Sequence, residues 1–285
     1  MEFLNHRKTG LIATGLAILA LSASPATAAF IEMNNINGST KMTETSPSGV
    51  IYSLGDTQGT GTGVFPAFLR METDPKSDSV AGFEDGFNSD GDLLNDEKAG
   101  AHTHSLLFAN LGIYTDPNTL ATYYEFRLDW NEPNNSNNRD LKLLEFQIYS
   151  SLTGDQENAD PQNGLLNTLL YSMQNDFVAS FDGFHVYDEN AGQGQDDFQI
   201  LIPTSLLAHP VGETYLTLYA KFGSAARTAG AAEPAFEEFS YRACPVGDTS
   251  CTPPPPQGEV PEPSTYALMG AGLLALGAVR NRRRK

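Results

Sequence analysis

Tyr123 to Trp130 read YYEFRLDW. Tyr124, Phe126, Leu128 and Trp130 share one parity, and Glu125, Arg127 and Asp129 share the other. Successive side chains on a strand point to opposite faces, so strict alternation predicts a half-buried β-strand. The same period recurs on the C-terminal side. LLEFQIYS sets Leu144, Phe146 and Ile148 against Glu145, Gln147 and Tyr149, and FQILIP aligns Phe198, Ile200 and Ile202. TYLTLYAKF aligns Leu216, Leu218, Ala220 and Phe222 opposite Tyr215, Thr217, Tyr219 and Lys221. The connectors NEPNNSNN, TGDQENADPQNG and DENAGQGQDD are rich in turn formers. Many short strands with almost no 3.6-residue period predict an all-β fold, an antiparallel β-sandwich or jelly-roll-like domain.

Both ends of the chain read as addresses. Arg7 and Lys8 precede an apolar run from Leu11 to Leu21, followed by SPATAAF. A positive start, a short apolar centre and small residues at Ala26 and Ala28 predict a secretory signal peptide cut after Ala28. Such a leader implies Sec-type export machinery and signal peptidase as partners. The expected organisation is a signal peptide over 1–28, a weakly structured Asn/Thr/Ser-rich segment over 29–48 and a β-sandwich over 49–243. A disulfide clip and Pro-rich linker follow over 244–259, then a terminal signal over 260–285.

The whole chain carries a formal net charge of −18. Removing Arg7, Lys8 and Glu2 with the leader, and Glu262 with the five basic terminal residues, leaves a still more acidic body. That surface repels nucleic acid and anionic headgroups, and no basic patch interleaved with aromatics exists, so nucleic-acid binding is set aside. Cys244 and Cys251 enclose PVGDTS. In an exported protein this spacing predicts a disulfide closing a small loop at the end of the domain.

Behind the spacer CTPPPPQGE, which reads as an extended polyproline-like stretch, the chain ends VPEPST, YALMGAGLLALGAV, RNRRRK. The apolar run from Tyr266 to Val279 has fourteen residues, roughly 21 Å of helix against a hydrocarbon core of roughly 30 Å. It is a marginal span. Arg280, Arg282, Arg283, Arg284 and Lys285 would hold that end in the cytoplasm, giving a transient inner-membrane association. Val260, Pro261, Glu262, Pro263, Ser264 and Thr265, a short apolar helix and a terminal Arg cluster together resemble the PEP-CTERM sorting signal. The resemblance implies recognition of Pro261–Pro263 by the membrane enzyme exosortase. It also implies removal of the tail, and release or attachment of the body at the cell surface alongside exopolysaccharide and biofilm formation. The body is similar to uncharacterised β-rich domains found ahead of such tails, where LYAKFG…FEEFSY (Leu218 to Tyr241) reads as a final strand pair.

Several constellations can carry chemistry. FNSDGDLLNDE, Phe87 to Glu97, places Asn88, Asp90 and Asp92 at the alternate positions that present oxygen ligands in calcium loops. Leu93 stands where such a loop has Gly, so a solvated acidic loop is the competing reading. Asp196 and Asp197 in GQGQDD share the ambiguity. No cofactor is required on this reading; calcium is the candidate for the acidic loops, and zinc or copper for the histidine pair that follows. His102 and His104 are spaced to share one side of a strand, and no third ligand accompanies them. Neither G-x-S-x-G nor H-E-x-x-H occurs, and no catalytic residue is assigned. Tyr123, Tyr149, Tyr215 and Tyr219 fall on the polar parity of their strands, where aromatic rings can stack on sugar C–H groups. The expected function is therefore structural or adhesive, at the cell surface or in the extracellular matrix. Carbohydrate binding is the alternative, calcium-dependent if the acidic loop binds metal, and polysaccharide processing is a second alternative.

Overall fold

The computed structural model describes residues 29–33, 42–54, 65–72, 82–91, 97, 101–130, 140–156, 168–178, 180–187, 196–224 and 236–245. Numbered in chain order, their strands divide between two sheets. Sheet I holds β1 (Ala29–Met33), β5 (Phe83–Phe87), β6 (Leu106–Leu107), β9 (Asp140–Ser151), β10 (Thr168–Ser172), β11 (Phe181–Tyr187) and β13 (Tyr215–Gly223). Its order is β1-β11-β9-β13-β5, with β10 beside β9 and β6 beside β13. Sheet II holds β2 (Thr43–Thr45), β3 (Ile51–Leu54), β4 (Ala67–Met71), β7 (Ile113–Thr115), β8 (Thr122–Trp130), β12 (Phe198–Pro203) and β14 (Glu237–Tyr241). Its order is β2-β3-β12-β8-β14-β4, with β7 beside β8. Among the described strands every pairing is antiparallel except that of β1 with β11, which is parallel.

The alternation in the sequence becomes the core between the sheets. Tyr124, Phe126 and Leu128 of β8, Phe198, Ile200 and Ile202 of β12, and Leu216, Leu218, Ala220 and Phe222 of β13 join one buried cluster. Rings from the two sheets meet inside it. Phe239 of β14 lies 6.0 Å, centroid to centroid, from both Phe146 and Phe222, and Tyr52 of β3 lies 4.5 Å from Phe184 of β11. Such pairs add about 0.5–1.5 kcal/mol each beyond the area they bury. The all-β sandwich expectation therefore holds.

Three local expectations change. Residues 29–48, read from composition as weakly structured, supply the strands β1 and β2. LYAKFG and FEEFSY do not pair. They lie in β13 and β14, in opposite sheets, and Phe222 stacks on Phe239 across the core. In β9 the core-facing residues are Leu141, Leu143, Phe146 and Ile148, with Leu144 displaced. The register against β13 skips from Glu145 to Leu143, so Leu144 is the extra residue of a β-bulge, which shifts the parity on its N-terminal side.

That bulge organises the neighbouring edge. β10 and β11 both lie on the same side of β9, against Gln147–Ser150 and Asp140–Leu143. Between them the chain makes one helical turn, α1 (Met173–Asp176), capped at its N-terminus by Ser172, whose Oγ accepts from the amide of Asn175. Met173 plugs the core, and the Gln174 side-chain amide donates to the carbonyl of Leu144. Gly183 lies opposite the bulge at φ +138°, where an added Cβ would run into the carbonyl of Leu143. A glycine is required there.

Candidate functional site

The four tyrosines proposed to meet sugar do not form one platform. Tyr149, Tyr215 and Tyr219 lie on the outer parity of sheet I, and Tyr123 lies on that of sheet II, on the far side of the sandwich. Tyr219 is fully buried and Tyr149 is 5% exposed, packed with Phe87 in a small satellite cluster. Tyr149 donates to Gln147 Oε1, and Tyr219 donates to Asp85 Oδ2 at 3.3 Å. These two rings are unavailable for open stacking. Tyr123 and Tyr215 are half-buried. Beside the cluster, Lys221 pairs in register with Glu145 on one side and Asp85 on the other. Burial raises the Glu145 carboxyl above its usual range; Lys221 opposes that shift and Asp85 adds to it.

Of the residues proposed for calcium, Asn88 and Asp90 carry hydrogen bonds within the fold. Asn88 is buried, and its Oδ1 accepts from the amide of Leu218 at 2.6 Å. Its Nδ2 donates to the carbonyls of Leu216 at 3.0 Å and His104 at 3.3 Å. The side chain thus extends the β5–β13 ladder past the end of β5. Asp90 accepts from the Ser105 amide at 2.9 Å and the Ser105 hydroxyl at 2.6 Å. Its partial burial works to raise its pKa, but the two bonds from Ser105, with His104 nearby, hold it below the ordinary value. Glu97 accepts from the Phe87 amide at 2.8 Å and fills the space that Gly86 leaves. Asp92 lies outside the described residues. His102 and His104 sit in a turn before β6, and His104 Nδ1 lies 2.7 Å from the carbonyl of Ser105. Among the described residues, no group of three His, Cys, Asp or Glu side chains forms a metal site.

Two charged networks were hidden in the strand alternation. On the outer parity of sheet II, buried Arg127 donates to Glu125 Oε1 at 2.6 and 2.8 Å and to Asp196 Oδ2 at 2.9 Å. The Phe65 ring covers its guanidinium at 3.9 Å. Arg242, which follows β14, donates to Glu125 Oε2 at 2.5 Å and ties the end of the domain to the sheet. On sheet I, His185 Nδ1 meets Glu32 at 3.0 Å and Nε2 meets Asp140 at 2.5 Å. Burial works to lower the His185 pKa, but the bonds to Asp140 and then Glu32 outweigh it and raise it. A carboxylate at each nitrogen favours the imidazolium form of the ring.

An open cavity of about 250 Å³ lies at the sandwich edge, where β10 and α1 of sheet I approach the turn at Ser48 and the 3-10 turn Thr204–Leu207 of sheet II. Leu169, Leu170 and Leu206 supply aliphatic walls; Ser48, Ser172, Asn175 and Asp176 supply polar groups. Asp176 is rigidly aimed. It accepts from the Ser48 amide at 3.0 Å, the Ser48 hydroxyl at 2.5 Å and the Tyr171 hydroxyl at 3.1 Å. Tyr171 is held in turn by Tyr52, oxygen to oxygen at 2.6 Å. Burial first, and then the neighbouring hydroxyl and carboxylate groups, raise Tyr52 well above the usual tyrosine range, and burial likewise raises Tyr171. Both therefore remain protonated donors at neutral pH. The cavity falls below the roughly 300–1,000 Å³ of drug-sized sites, which suits one small ring or the end of a chain.

The terminal addresses, with Ala26, Ala28, Val260–Thr265, Arg280 and Arg282–Lys285, lie outside the described residues, as does Cys251; Cys244 is half-buried just past β14. Among the described residues no helix is long and apolar enough to cross a membrane. Comparison with curated proteins and with solved structures yields no match. Residues 259–284 match the family model of the PEP-CTERM protein-sorting motif. The chain thus carries at its C-terminus the signal of a protein exported to the cell surface and processed by exosortase.

Proposed function

We propose that this protein works at the cell surface or in the extracellular matrix as a structural and adhesive component that engages exopolysaccharide. The observation that carries the reading is the sorting motif at 259–284, standing directly behind the acidic sandwich and its Pro-rich spacer. Export begins with the Sec-type machinery and signal peptidase, passes through a transient inner-membrane stage and ends with exosortase. The spacer then holds the domain away from whatever the mature end is attached to.

Carbohydrate contact, in this reading, moves from the buried tyrosines to the edge cavity. A sugar ring offers hydroxyls and an apolar C–H face together. Asp176 and Asn175 take the hydroxyls, and Leu169 and Leu206 take the C–H face. A charge-assisted hydrogen bond contributes about 1.5–3 kcal/mol. Asp176→Asn should therefore weaken binding on a glycan array or to the producer's own exopolysaccharide by roughly 10- to 100-fold. Unchanged binding by this variant would remove the cavity from the account, and no binding by the unaltered protein would remove the adhesive role.

A further inference from the structure

The edge of β11 reads one short sequence on both of its faces. Ile31 and Met33 of β1 enter the core, where Met33 is fully buried. Phe30 and Glu32 occupy the opposite parity. There the Lys142 ammonium lies 4.7 Å from the Phe30 ring centroid, and His185 joins Glu32 to Asp140. The main chain pairs in register from Phe30 with Gly183 to Met33 with Val186. Main-chain pairing at a sheet edge supplies affinity, and sites for alternate side chains supply specificity. The sequence so read is FIEM, which occurs once in the chain, at 30–33.

The way β1 is attached distinguishes it from the other strands. Among the described strands it is the one held in parallel, to β11 at the end of sheet I, a pairing slightly weaker per residue than antiparallel. Cleavage after Ala28 makes it the free end of the mature chain, so it can leave without unthreading another element. Residues 34–42 separate it from β2, and nine residues reach up to about 30 Å. Exchange of an identical element between copies keeps every contact and costs only association.

We propose that β1 is an exchangeable donor strand, and that the β11 edge accepts residues 29–33 of a second copy of this chain. Each copy then gives one strand and receives one. Because donor and acceptor are different surfaces, the contact is heterologous and extends into chains wherever the rotation does not close.

The test uses the mature chain. Glu32→Cys in one population and His185→Cys in another are mixed under mild oxidation, and cross-linked peptides are identified by mass to set aside links through Cys244 or Cys251. The register places these two residues opposite each other, so exchange yields a 32–185 heterodimer whose share rises with protein concentration. The double variant, linked within one chain, shows that the bridge can form. In parallel, unaltered light and isotope-labelled chains are incubated together and examined by native mass spectrometry. Mixed oligomers are expected, and Ile31→Asp should abolish them. The proposal is overturned if the double variant bridges internally while neither the heterodimer nor mixed oligomers form, or if Ile31→Asp leaves mixed oligomers unchanged.

Discussion

His185 joins three strands through two carboxylates, so its effect on stability has a definite sign with pH. Its folded pKa is raised above the ordinary value near 6.5. The stabilisation is thus fully present below the unfolded pKa and is lost as pH rises through the folded one. Lys142 faces His185 from β9 in register, but its ammonium is spent on the Phe30 ring. Urea midpoints of the unaltered protein and of His185→Gln should differ most near pH 5.5 and converge toward pH 9; a gap independent of pH would refute the imidazolium assignment. Asn88 gives a second prediction at this scale. Replacing it with Ala strands the Leu218 amide and two carbonyls, at a cost of about 3 kcal/mol. The loss should be the same in calcium and in EGTA, measured by chemical denaturation. A deficit that appears in calcium and vanishes in EGTA would return Asn88 to a ligand role. The calcium-like spacing was legible in the sequence, but the use of these oxygens was not. Spacing places ligands, and the competing backbone donors come from Leu218 and Ser105, distant in the chain.

Among the elements, the split strand β10–α1–β11 shows where reading by parity stops. Alternation in LLEFQIYS identifies a strand and its apolar face through Phe146 and Ile148, both of which the fold buries. It assigns Leu144 in place of Leu143, because a bulge inserts a residue without altering composition. The bulge is fixed from outside β9, by Gly183 across the ladder and by the Gln174 amide on the Leu144 carbonyl. Gly183→Ala would demand a left-handed backbone from a residue with a Cβ and force it against Leu143, at a cost of about 2–3 kcal/mol. The drop in thermal midpoint should exceed that of Gly212→Ala, a turn position where an added Cβ meets only Leu152 at 3.7 Å. Equal effects at the two sites would show that the bulge does not need its glycine. The outer parity of β8 teaches the same point. Glu125, Arg127 and Asp129 read as a solvated face, yet all three are buried, Arg127 beneath Phe65.

For the whole molecule, the sorting motif makes a prediction about mass. Protein extracted from the cell surface should lack residues 1–28 and the basic terminus from Arg280 to Lys285. Intact mass measurement checks both, and a surface form retaining Arg280–Lys285 would defeat processing by exosortase. The C-terminal sorting motif, the positions of β8, β9, β12 and β13 with most of the core-facing residues on those four strands, and the acidic character were determined by the sequence alone. Each is a local pattern: a period of two, a run of apolar residues, a motif in fixed order. Only the tertiary structure decided which strands share a sheet, that Phe222 and Phe239 meet across the core, and that Tyr219 is covered. It also decided that Ser48, Tyr171, Asp176 and Leu206 surround one cavity and that FIEM closes the edge of β11. These depend on contacts between residues far apart in the chain, whose free energies reside in the packed sandwich and leave no periodic trace in any one segment.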